Sequence, residues 1–173
     1  MARFMAALAL AYMFDGRMDE AGMQCDSAPK TGSLEAARRM AMRHIEAFVQ
    51  TFSDQQSLSV AATSWAPAAL AQVAEAARIH EAGHLRCSGA EVGRFVVMLR
   101  NGSTVLKSCA AFALLQFTMP GGRHAMHHAS LLHKAVAGRV LRAAAAAATA
   151  PLQAKVFARI VLRNLEHYPA EAM

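Results

Sequence analysis

Apolar and polar positions divide the chain into helix-length segments separated by short polar or Pro/Gly breaks. Residues 2–14 read as a helix stopped near Asp15-Gly16, and residues 15–33, with Gly, Asp, Ser and Pro29, read as a loop. Ser33 is placed to N-cap a helix from Leu34 to about Thr51, its hydroxyl accepting an early backbone N–H. A second helix starts at Asp54 and breaks near Trp65-Ala66-Pro67, because proline lacks the N–H donor and clashes inside a helix. Ala68 to Ile79 continues as an apolar-rich helix, and a short segment, 80–87, leads to Ser88-Gly89-Ala90. Helices are then expected over Glu91–Leu99 and, capped by Ser103, over Thr104 to about Thr118, with Pro120-Gly121-Gly122 as a strong stop. A short helix over 124–134, another over 138–148, a break at Thr149-Ala150-Pro151 and a last helix from Leu152 to His167 complete the chain.

The second half repeats itself. Val105-Leu106-Lys107, Ala110, Phe112, Leu114 and Leu115 line up with Gln153-Ala154-Lys155, Ala158, Ile160, Leu162 and Arg163, and Gln116 with Asn164. The offset, from Lys107 to Lys155 for example, is about 48 residues, close to the period of three-helix repeats. Three helices per unit at that period predict a helical solenoid, in which each unit buries its apolar face only against its neighbours.

Composition supports the all-α reading. Among 173 residues there are forty alanines against twenty Val, Ile and Thr together, which favours helix over strand and excludes an all-β sandwich or barrel. The formal charge of +6 is concentrated: residues 1–88 carry eight Lys/Arg and nine Asp/Glu, residues 89–173 ten and three. A basic C-terminal half suits an acidic partner as well as a merely solvated surface. Cys25, Cys87 and Cys109 form no CxxC and are odd in number, so neither a disulfide framework nor a cysteine zinc site is expected, and a reducing compartment (cytoplasm and/or nucleus) fits. No apolar run is long enough for a membrane span. The run Phe4–Phe14 has the look of a short signal peptide, but its small-x-small site, Ala9-Leu10-Ala11, comes too early, and it reads as an alanine-rich core helix.

The text GAEVGRFVVMLRNGSTVLKSCAAFALLQF (89–117) resembles an armadillo repeat: a Gly-Ala turn, a short second helix ending in Met-Leu, a small polar turn, and a long third helix ending Ala-Leu-Leu-Gln-Phe. KAVAGRVLRAAAAAATAPLQAKVFARIVLRNLEH (134–167) resembles the next repeat, and the likeness is strongest to plant armadillo-repeat proteins. It covers 79–167 well, 34–78 faintly, and 1–33 not at all. The resemblance implies a right-handed α-solenoid of armadillo-type three-helix repeats. It divides the chain into a poorly defined N-terminal helix and loop, 1–33, and helical repeats over 34–173, clearest at 79–122 and 123–167. Members of this kind are usually longer, so the chain is expected to be part of a longer array. The glycine between first and second helices is replaced by Val136, so a different turn is expected there.

The resemblance also implies that third helices line a concave groove. Asn164 matches the family's groove asparagine, and Gln116 stands at the equivalent place one repeat earlier. Such amides can hydrogen-bond the backbone of an extended peptide. Lys155, Arg159 and Arg163 recur every four residues as a basic stripe, with Lys107 the counterpart of Lys155 in the preceding repeat, and would attract acids. The expected activity is therefore non-catalytic: a scaffold or adaptor for another protein, engaging an acidic or extended segment through Lys107, Gln116, Lys155, Arg159, Arg163 and Asn164. No cofactor is expected. Trp65 is the single tryptophan, and basic and aromatic residues do not alternate, so no specific nucleic-acid partner is expected.

The rival reading is a zinc peptidase. His80-Glu81-Ala82-Gly83-His84 is an HExxH, which on an α-helix would place His80 and His84 on one face as ligands with Glu81 as base. The extended form of the motif fails at Cys87 and Ala90, downstream acids are scarce, and Gly83 weakens the metal-binding helix. The match is read as coincidental. His124, His127, His128 and His133 form a second cluster, expected to be an exposed polar face of a first helix.

Overall fold

The structure, a computed structural model, describes residues 56–169. The helices expected over 2–14 and 34–51, the loop over 15–33, the Ser33 cap and the Asp54 helix start lie outside the described residues. Those described form seven α-helices, one 3-10 helix and no strand. The helices are α1 (Gln56–Ser64), α2 (Pro67–Ala76), α3 (Gly89–Asn101), α4 (Thr104–Thr118), α5 (Ala125–Lys134), α6 (Ala137–Ala146) and α7 (Leu152–Glu166), with the 3-10 turn at His80–His84 between α2 and α3.

Local chemistry sets most of the breaks. Pro67 sits at the start of α2 and holds Ala66 extended (φ −64°, ψ 137°), the conformation forced on a residue before proline. α3 opens on a reciprocal cap. The Ser88 hydroxyl accepts from the Glu91 N–H, and the Glu91 carboxylate accepts from the Ser88 N–H at 2.7 Å. The Ser103 hydroxyl accepts from the Leu106 N–H at the head of α4. Gly102, between them, has an ordinary negative φ. Its requirement is space, since a Cβ there would collide with the Met98 carbonyl oxygen. At Val136 the turn keeps a left-handed backbone, φ +52°, the conformation a glycine adopts without strain. The valine occupies it with two thirds of its surface exposed.

The order short helix, α3, α4 recurs as α5, α6, α7. α3 and α6 begin at Gly89 and Ala137, and α4 and α7 at Thr104 and Leu152, so both pairs are separated by the same offset. α4 packs side by side with α7, and α3 with α6, so like helices stack on like. The seam between α4 and α7 is the densest part of the core. Phe112 and Phe157 meet edge to face with ring centroids 5.3 Å apart, and both are fully buried. Every residue from Ser108 to Met119 is buried, so α4 is enclosed on all sides from Ser108 onward. α7 is amphipathic. Val156, Phe157, Ile160, Val161 and Leu165 face inward, while Lys155, Arg159 and Arg163 lie half-buried on the opposite side.

α1 and α2 depart from simple stacking. Both contact α7, the last helix, rather than resting only on the unit that follows them in sequence. The expectation that each unit touches only its neighbours therefore fails for 56–76.

Candidate partner-binding site

The stripe on α7 is where four of the six candidate residues come together, and α1–α2 lies over it. The Arg159 guanidinium stacks on the Trp65 indole, 3.8 Å from the ring centroid. Arg163 donates through Nη1 to the Pro67 carbonyl. Lys155 reaches back to the Ala148 carbonyl at 3.4 Å. Asn164 is buried and donates through Nδ2 to the Thr118 hydroxyl at 3.3 Å, tying α7 to the end of α4. Beside it a cleft of about 180 Å³ opens between α2, α7 and the end of α4, lined among others by Leu70, Ala74, Arg78, Ile160, Arg163 and Asn164. Arg78, at its edge, pairs with Glu75 at 2.9 Å and donates to the Pro120 carbonyl.

Gln116 is placed differently from Asn164, although the two hold equivalent positions in α4 and α7. It is 3% exposed. Its Nε2 donates to the Ala77 carbonyl at 2.8 Å, and its Oε1 accepts from the Ile79 N–H at 2.9 Å. The amide holds an extended backbone, that of its own chain between α2 and the 3-10 helix. Lys107 lies half-buried on α4.

The HExxH segment does not form an α-helix. At three residues per turn, His80 and His84 point about 120° apart rather than the roughly 40° an α-helix would give. Both are exposed. Among the described residues no group of three His, Cys, Asp or Glu side chains gathers as a metal site.

The histidine cluster is not an exposed face. His128 is 2% exposed and packs against Phe117, with ring centroids 5.2 Å apart. Its Nε2 accepts from the Cys87 N–H at 3.0 Å, leaving Nδ1–H to donate to the Phe117 carbonyl at 3.1 Å. That pairing requires the neutral ring. Desolvation by burial lowers its pKa below the ordinary imidazole value, and the positive charges of His127, His124 and Arg86 push the same way against the Phe117 bond. His127 bonds the Cys87 carbonyl, and His133 the Tyr168 carbonyl. The thiol of Cys87 is itself pushed up to about 11, by burial and by the Glu91 carboxylate, and Cys109 to about 12 by burial, so both are inert free thiols near neutrality. The His127 and His128 contacts pin α5 to the loop before α3 and to the end of α4, and the His133 contact ties it to the segment after α7. Sequence spacing placed the histidines together but carried no sign of what would cover them.

No family model matches the chain. No solved structure matches it either. It is 61% identical over 177 aligned residues to Protein ARABIDILLO 1 of Arabidopsis thaliana, and 63% identical over 175 to Protein ARABIDILLO 2 of the same plant. Its homologues are armadillo-repeat proteins. Both alignments take in 99% of this chain, and the chain spans 19% of the length of each relative. A plant origin fits, and the armadillo likeness read from residues 79–167 agrees with these homologues and with the all-helical fold. Nothing found points to a metallopeptidase.

Proposed function

We propose that this chain is a non-catalytic armadillo scaffold or adaptor segment that binds an acidic, extended stretch of another protein along the third-helix groove, through α7 and the first turn of α4. The observation that carries it is the row Lys155, Arg159 and Arg163 on the polar side of α7, next to a cleft large enough for one side chain. Cations presented on a rigid helix favour carboxylates, and the Arg guanidinium can engage them with two parallel hydrogen bonds. Lys107 and Lys155, at matching places in successive repeats, extend the positive edge across both. Asn164 and Gln116 contribute by holding the walls of the site, since both amides bond their own chain. The proposal places the protein in the cytoplasm and/or nucleus, where the free thiols Cys87 and Cys109 remain reduced.

The test is titration of a fluorescein-labelled peptide of alternating glutamate and glycine with one central tyrosine, read by anisotropy. Lys107→Glu/Lys155→Glu spares the Arg159–Trp65 and Arg163–Pro67 contacts and is expected to weaken binding at least tenfold. Binding should also fall with added salt. Equal affinity of the double variant and the parent would sink the reading.

A further inference from the structure

The stripe on α7 is not open. Residues 65–67 sit on it, and what they offer is chemically incomplete. Trp65 gives Arg159 an aromatic face and Pro67 gives Arg163 a carbonyl, both neutral. The Arg159 Nε is shut off from solvent with no acceptor among the described residues. The α1 sequence QSLSVAATS has no acid, and the only one in α2, Glu75, is held by Arg78 at 2.9 Å. Among the described residues, two guanidinium groups are thus partly covered without a carboxylate beside them. A buried cation left unpaired is costly, and a charge-assisted bond is roughly twice as strong as a neutral one. Trp65 itself has φ +51°, a left-handed backbone that is a true outlier for a bulky side chain.

We propose that residues 56–76 are an internal occupant of the α7 stripe, and that an acidic partner segment bearing an aromatic side chain binds by displacing Trp65 and Pro67. The inference rests on the groove reading above and adds its regulation: the binding surface is competed for by the chain's own α1–α2. The partner's aromatic ring takes the place of Trp65 on Arg159, and its carboxylates supply the acceptor that Arg159 Nε lacks. Apparent affinity is then the intrinsic affinity reduced by the fraction of molecules with α1–α2 unseated.

Trp65 is the single tryptophan in the chain, so it reports its own displacement. The glutamate–glycine–tyrosine peptide is titrated into the full chain with excitation at 295 nm. Accessibility of Trp65 to the neutral quencher acrylamide is followed alongside anisotropy. The expected result is that saturation with peptide increases quenching and that Trp65→Ala binds about tenfold more tightly than the parent. If peptide binds the parent while Trp65 quenching stays unchanged, displacement is overturned and the groove reading survives. Peptide bound by Trp65→Ala but not by the parent supports the internal occupant. If neither binds, the groove reading falls and this inference with it. The quenching readout uses the parent chain alone, so it decides even where Trp65→Ala folds poorly.

Discussion

Gln116→Leu separates two roles that the sequence assigns to one residue. If Gln116 faced a partner, the change would weaken binding and leave the fold alone. In the structure its side chain bridges the Ala77 carbonyl and the Ile79 N–H, at 2.8 and 2.9 Å, from within the core. Leucine is close in volume, so the loss is chiefly the two hydrogen bonds. Each stranded backbone group costs about 1–3 kcal/mol when it stays buried, giving about 2–6 kcal/mol in all. Ala77 is buried and Ile79 half-buried, which places the expected loss in the lower half of that range. Against a typical stability of about 5–15 kcal/mol this is a large fraction. Melting should fall by about 5–15 °C, at roughly 2–4 °C per kcal/mol for a chain of this size. Urea unfolding followed by far-UV circular dichroism gives the free energy, and amide exchange at Ile79 locates it. A loss no larger than that of an ordinary surface substitution, about 0.5 kcal/mol, with Ile79 exchange unchanged, would refute the argument that this amide anchors the connection between α2 and the 3-10 helix.

Three further outcomes are expected. His128 is held neutral, with its folded pKa below the unfolded value. The unfolded chain therefore binds the extra proton, and the stability contribution is complete above about pH 6.5 and is lost as pH falls. Urea midpoints at pH 7.5 should exceed those at pH 5, and His128→Gln should lower both while flattening the difference; an unaltered slope would contradict this. Gly102→Ala should destabilise by about 1–3 kcal/mol, because the new methyl meets the Met98 carbonyl, and a thermal melt matching the parent would disprove the crowding. Val136→Gly relieves a left-handed backbone worth about 1–2 kcal/mol and gives back about 0.5–1 kcal/mol in chain entropy. It should leave the protein unchanged or up to about 1.5 kcal/mol more stable, and a clear loss in chemical denaturation would count against strain at that turn.

The boundaries that came through from sequence were those written in local chemistry. Pro67, Ser103, Pro120-Gly121-Gly122 and Pro151 act on the backbone within one turn of themselves, so α2, α4 and α7 start or stop where those residues stand. The repeat period was legible for the same reason, since each unit repeats its own apolar spacing. The Ser88/Glu91 cap was also legible, as Ser-x-x-Glu, yet a start at Glu91 missed it by reading Gly89-Ala90 as turn. What tertiary structure alone decided involves contacts distant in sequence. His80 to His84 winds as a 3-10 turn packed against α4, with Gln116 bonding the backbone just before it, contacts no spacing within the segment reveals. His128 is buried only because Cys87 and Phe117, 41 and 11 residues away, close over it. Arg159 and Arg163 form a free stripe on a helical wheel, but the fold brings residues some 96 positions earlier down upon them. Periodicity reports which side of a helix is polar; it cannot report which other segment lands there, because that depends on the summed packing of the whole chain.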